Sequence, residues 1–187
     1  MVRVMGNEAP NLIWVDCEMT GLDLNKDVLV EIAVLVTDSQ LNILGEGVDL
    51  VIKAPQEVLD GMNDFVREMH TTSGLITEID GGVSHGEAET QILEYLNKYA
   101  PGSGKSPLAG NSVSVDRTFI ARFLPAVNEY LHYRTVDVSS IKELARRWYP
   151  KVYFAAPKKT GNHRALGDIQ DSIEELEYYR KTIFIPN

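Results

Sequence analysis

Asp16 and Glu18 are two acids separated only by Cys17, and they close the apolar run Leu12-Ile13-Trp14-Val15. Such a run reads as a strand in a protein interior. Residues i and i+2 of a strand point to the same face, so the two carboxylates project together while Cys17 points away. Side by side at the end of a core strand they cost desolvation and repel each other. A hard divalent cation resolves that cost: Mg²⁺ or Mn²⁺ takes oxygen ligands and keeps coordination positions for substrate phosphates. Taken alone, a D-x-E reads as a solvated strand end.

Two more segments carry the same chemistry. In "GNSVSVD" (110–116) a strand end and a polar turn lead into a helix with Asp116 in its first turn, where an acid is also favoured as a cap. In "GNHRALGD" (161–168) His163 precedes the last helix and Asp168 lies in its first turns. Five residues apart, at about 100° per residue, the two do not share a helix face. That suits a histidine on the preceding loop, folded back over a site that Asp168 reaches from the helix. Alone, His163 reads as a capping or surface histidine.

These residues need a scaffold, and the hydrophobic pattern supplies one. Strands are predicted over 12–18, 27–38, 43–53, 107–110 and 134–138, the second and third joined by the short polar link Ser39-Gln40. Helices are predicted over 55–70, 87–99, 114–131 and 139–149, with Ser139 or Ser140 as a cap for the last of these. A final helix carries Leu166, Ile169, Ile173 and Leu176 on one face. The order implies an α/β sheet with antiparallel first strands and later strands that return through helical crossovers.

The chain has 187 residues, 44% of them hydrophobic and 24% charged, which fits one globular domain over 1–187 with a flexible segment at about 1–10. No apolar run is long enough to span a bilayer, so no membrane partner is expected. The single cysteine excludes an internal disulfide and suits a reducing compartment. The formal charge of -9 argues against gripping long nucleic acid over the whole surface, but a short oligonucleotide needs only a local basic patch.

Together, the motifs resemble the DEDDh 3′–5′ exonucleases on a ribonuclease H-like fold, and within them the oligoribonuclease group. The matching stretches are "WVDCEMTGLD", "EIAVLVTDSQLNIL", "PLAGNSV", "LHYRTVDVSSIKELARRWYP" and "HRALGDI". The resemblance implies a mixed five-stranded sheet flanked by helices. It implies that Asp16, Glu18, Asp116 and Asp168 hold two divalent cations, Mg²⁺ or Mn²⁺, and that His163 is the general base. It implies a substrate of short oligoribonucleotides, from two to about five nucleotides and diribonucleotides above all, cut to 5′-nucleoside monophosphates. Leu22 would then be an apolar wedge between two bases. Ser112, Arg134 and Ser139 would cap the 5′ phosphate, Phe65 would stack on a base, and His70 would touch substrate. Tyr133 would reach the partner's site in a homodimer. The group works in bacterial cytoplasm and in eukaryotic mitochondria and cytosol, and no leader is visible at the N-terminus here. By themselves several of these residues read otherwise: Leu22 as core, Ser139 as a helix cap, Tyr133 as a packed aromatic.

Two positions depart from the group's pattern. Phe65 stands where a tryptophan is usual, and Gly167 replaces the first acid of the usual "LDD". "GSGKS" (102–106) imitates a phosphate loop but has Tyr99 where that motif needs glycine. "RRWY" (146–149) and Lys158-Lys159 read as a local basic rim, and Asp137 as a structural residue capping the helix after it. The rival readings are a DEDDh exonuclease acting on longer RNA or DNA ends, and a non-catalytic dimer that binds short RNA.

Overall fold

The computed structural model describes residues 9–158 and 163–184. Most of the N-terminal segment expected to be flexible, together with Lys159, Gly161 and Asn162, lies outside the described residues. The strands are β1 (Leu12–Met19), β2 (Leu29–Thr37), β3 (Ile43–Val51), β4 (Pro107–Gly110) and β5 (His132–Asp137). The helices are α1 (Gln56–Asp60), α2 (Asp64–Thr72), α3 (His85–Tyr99), α4 (Ser114–Phe123), α5 (Pro125–Tyr130), α6 (Val138–Trp148), α7 (Pro150–Phe154) and α8 (Ala165–Thr182).

The strands form one five-stranded sheet in the order β3-β2-β1-β4-β5. β1, β2 and β3 pair antiparallel, because only short links join them; β4 and β5 add in parallel after helical crossovers. The mixed sheet expected from the sequence is therefore present.

Alternation along the strands divides the core in two. Ile13, Val15 and Cys17 of β1 and Ile32, Val34 and Val36 of β2 face Ile92 and Leu96 of α3, Ile120 of α4 and Val127 of α5. Trp14, Ala33 and Leu35 face the other way, against Val138 and Ala145 of α6 and Ile169, Ile173 and Tyr179 of α8. Asp16 pairs with Ala33 and Glu18 with Glu31 in the β1–β2 register, so both acids lie on the face that α8 covers. β2 is buried along its whole length, which its apolar run dictates apart from Glu31.

Three predicted elements differ. The helix expected over 55–70 is two, α1 and α2, because Asn63 takes an extended conformation and its side chain accepts the Val66 N–H to cap the second. The helix expected over 114–131 is also two. Pro125 has no N–H to continue α4, and it pushes Leu124 out of helical geometry (φ −136°, ψ 60°) before serving as the first residue of α5. α6 is capped by Asp137, not by a serine: its carboxylate accepts the Ser139 N–H at 2.9 Å. The structural reading of Asp137 holds.

Candidate active site

The C-terminal ends of the parallel strands β1, β4 and β5 gather at one edge of the sheet, where open α/β sheets place their ligands. β1 brings Asp16 and Glu18 there. β4 ends at Gly110, whose φ of 152° lets the chain turn tightly out of the sheet. A Cβ at Gly110 would lie 2.9 Å from the Val15 carbonyl, so the close approach of β4 to β1 requires glycine. The turn delivers Asn111 and Ser112 and then α4 with Asp116. β5 ends at Asp137 and leads into Ser139.

Glu18, His163 and Asp168 each present a ligand atom within 4.8 Å of one another. His163 has a φ of 49° and reaches the cluster from the residues before α8, while Asp168 enters from the first turn of that helix. Asp116 comes from the opposite face and anchors to β1 beneath the acids: its Oδ1 accepts the Cys17 N–H at 3.0 Å. Burial pushes the Glu18 carboxyl up to about 8, and the charges of Glu31, Asp168 and Asp116 push it the same way. Burial also lifts Asp116 to about 6, against the pull of its own N–H and that of Cys17. Burial and Asp116 raise the Cys17 thiol well above its ordinary value, so Cys17 is an inert core residue. Carboxylates crowded together and buried in this way fit a divalent cation, which favours their ionised forms.

His70, expected to touch substrate, is wholly buried behind Glu18, so its side chain offers substrate no exposed surface in this structure. Its Nε2 bonds the Met19 carbonyl at 2.8 Å, so that nitrogen carries the proton and Nδ1 points toward Glu18 Oε2, 3.9 Å away. Burial pushes the imidazole down from its ordinary value, which favours the neutral form.

The serines expected at a phosphate cap lie together. Ser112 has a φ of 58°, and its hydroxyl is 3.0 Å from that of Ser139. Asp137 Oδ1 holds both residues by accepting the Ser112 N–H at 3.0 Å and the Ser139 N–H. Behind them Asn111 accepts from the Ser139 hydroxyl and donates to Ser172 Oγ and Glu175 Oε2, which ties the cap to α8. Arg134 is exposed on β5 with its guanidinium over the Tyr133 ring. Leu22, Phe65 and Tyr133 are 73%, 76% and 74% exposed, so the readings of Leu22 as core and Tyr133 as a packed aromatic fail. The basic rim is partly neutralised, since Arg146 and Arg147 both pair with Glu143.

Sequence reasoning missed Glu31, Glu78 and Arg164. Arg164 Nε donates to Glu31 at 2.7 Å, and its two terminal nitrogens donate to Glu78, each at 3.0 Å. The available signal was Glu31 itself, a lone acid inside "LVEIAVLV", which must find a partner if the strand is buried.

Known proteins resemble this chain in sequence and in fold. A family model described as Exonuclease matches residues 13–176. An oligoribonuclease of Leifsonia xyli subsp. xyli is 60% identical over 181 residues, covering 97% of this chain and 87% of its own. Oligoribonucleases of Streptomyces coelicolor and Cutibacterium acnes are 59% and 58% identical, each covering 94% of this chain and 88% and 87% of their own lengths. Among solved structures, exonuclease I of Methylocaldum szegediense superposes with a TM-score of 0.68 at 22% identity, over 94% of this chain. The zinc-bound complex of E. coli exonuclease I with single-stranded DNA gives a TM-score of 0.71 at 14% identity, also over 94% of this chain. This chain spans only 41% of either solved chain, and at such identities the likeness speaks for the fold.

Proposed function

The chain belongs to the exonuclease family and, within it, to the oligoribonucleases, which makes it a 3′–5′ exoribonuclease; on that premise we propose that it degrades short oligoribonucleotides, diribonucleotides above all, to 5′-nucleoside monophosphates. The observation that carries the proposal is the meeting of two groups at one sheet edge. One is the acid–histidine cluster of Glu18, His163 and Asp168; the other is the Ser112–Ser139 hydroxyl pair held by Asp137. The first suits a scissile phosphate, and the second suits a terminal phosphate a short distance along the same substrate.

Asp16, Glu18, Asp116 and Asp168 are the residues that would hold the cofactor. When bound, two divalent cations, Mg²⁺ or Mn²⁺, would neutralise these acids and polarise the scissile phosphate. An imidazole nitrogen of His163 takes a proton from the attacking water as the water oxygen bonds to phosphorus and the P–O3′ bond breaks, and the departing O3′ takes a proton from solvent to leave as a hydroxyl. Leu22 and Phe65 offer apolar surface to the bases, and Phe65 stacks with less area than a tryptophan would. On substrate binding the Ser112 and Ser139 hydroxyls turn from each other and from Asn111 to donate to the 5′ phosphate, and Arg134 adds a charged fork. A closed cap of this kind leaves a longer chain no exit, which is the source of the preference for very short RNA. His70 supports the site from behind Glu18. The active form is a homodimer, in which Tyr133 on the edge strand β5 reaches the partner's site.

The test compares a 5′-phosphorylated diribonucleotide with a seven-residue RNA and its DNA equivalent, each with Mg²⁺, with Mn²⁺ and with EDTA. The expected result is cation-dependent release of mononucleotides with the dinucleotide far preferred. Equal or better cleavage of the longer RNA or the DNA would mean an open cap and a general exonuclease. No cleavage with either cation would favour a non-catalytic RNA-binding dimer.

A further inference from the structure

Arg164 and Glu31 have no part in the chemistry above, yet both are built into the approach to the site. Glu31 is wholly buried and faces Glu18 across the β1–β2 pair. One of its oxygens accepts from Arg164 Nε at 2.7 Å, and the other accepts the backbone N–H of Ala165 at 3.2 Å. The second bond counts because Arg164, at the cap position of α8, gives the helix no side-chain cap. A carboxylate from the central sheet thus satisfies one of the free N–H groups in the first turn. The rest of the Arg164 fork is taken by Glu78, which lies between the 3₁₀ turns Leu75–Thr77 and Ile79–Gly81. The residue directly after His163 is therefore fastened to two separate parts of the fold.

His163 needs such fastening. Its φ of 49° is one that residues with a side chain seldom adopt, and such conformations persist only where the surroundings over-determine them. From this geometry we infer that Arg164, Glu31 and Glu78 form a clamp that positions His163, an inference that rests on the base role proposed above. The clamp fixes the backbone from which the imidazole reaches Glu18 and Asp168. A lysine in place of Arg164 would not serve, because a point charge on a flexible stem cannot span two carboxylates as a planar fork does.

A double-mutant cycle tests the clamp. Turnover of a 5′-phosphorylated diribonucleotide is measured for Arg164→Ala and Glu78→Gln, each with His163 intact and each with His163→Ala. Loss of positioning is expected to lower kcat roughly tenfold for Arg164→Ala and roughly threefold for Glu78→Gln, with KM held within about twofold. If the clamp acts through His163, neither change lowers the residual rate further once His163 is alanine. In metal-free protein, the His163 ring-proton resonance, assigned by its loss in His163→Ala, is expected to move in both clamp variants. Equal losses in the two backgrounds, or an unmoved resonance, would overturn the inference. Wild-type turnover by His163→Ala would defeat the base assignment and the clamp with it. An inactive His163→Ala beside fully active Arg164→Ala and Glu78→Gln would defeat the clamp alone. Should Arg164→Ala fail to fold, the Glu78→Gln cycle, at an exposed side chain, decides between the same outcomes.

Discussion

At the end of β1, burial and the charges of Glu31, Asp168 and Asp116 together raise the Glu18 carboxyl from 4.5 to about 8. A group raised in the folded state contributes its stability fully below its unfolded pKa and loses it as pH rises through the folded one. Metal-free protein should therefore lose thermal stability from about pH 4.5 to about pH 8, and Glu18→Gln should flatten that slope. A cation binds the ionised form, so Mn²⁺ affinity should climb through the same window with release of protons, readable by calorimetry in buffers of different ionisation enthalpy. Flat metal-free melting temperatures, or cation binding without proton release, would contradict the origin given for the shift. Asp16→Asn is a sharper test of the acid pair. It should lower turnover on the order of a hundredfold or more, the scale of losing one electrostatic stabiliser, with the circular dichroism spectrum and melting curve unchanged. Near wild-type turnover would remove Asp16 from the metal site.

The elements explain why those residues meet, and how much of this the sequence disclosed. Strand alternation in "LIWVDCEM" places Asp16 and Glu18 on one face without reference to anything distant, so the acid pair was legible. The five strands and their directions were legible for the same reason, because apolar runs and link lengths are local properties. Helix ends were less so: Pro125 marks the break, but Phe119/Phe123 and Ile120/Leu124 recur at i, i+4 up to it and favour one unbroken helix on pattern alone. The Glu31–Arg164 pair spans 133 residues, and nothing local to either residue names the other. Asp137 shows what such an element-level residue does, since one carboxylate oxygen serves both the first turn of α6 and the Ser112 backbone. Asp137→Ala should cost about 1 kcal/mol in urea unfolding, as lost caps do. It should also raise KM for the 5′-phosphorylated dinucleotide several-fold, because Ser112 is released from its unusual backbone geometry, while kcat changes little. An unaltered KM would separate Asp137 from substrate binding and leave it as a helix cap alone.

At the scale of the whole molecule, the net charge of -9 and the exposed aromatics pull in different directions. The charge discourages contact with long nucleic acid. Tyr133 on β5, Trp148 at the end of α6 and Phe154 at the end of α7 are 74%, 66% and 82% exposed, and aromatic side chains of this kind are what interfaces bury. No periodicity announces them, because an interface is selected by a surface outside the chain's own pattern. The proposed homodimer gives Tyr133 a use that a monomer does not, and subunit mixing tests it. Asp16→Asn leaves a subunit without a working metal site but with an intact Tyr133 to offer. Tyr133→Ala leaves an intact metal site that lacks only what the partner supplies. In a mixed dimer, the site on the Tyr133→Ala subunit receives Tyr133 from its Asp16→Asn partner and is complete. Random reassortment of equal amounts makes about half of the dimers mixed, each with one complete site, so activity should return to about a quarter of wild type from two nearly inactive parents. Activity that only averages the two parents would mean that Tyr133 serves its own subunit or none.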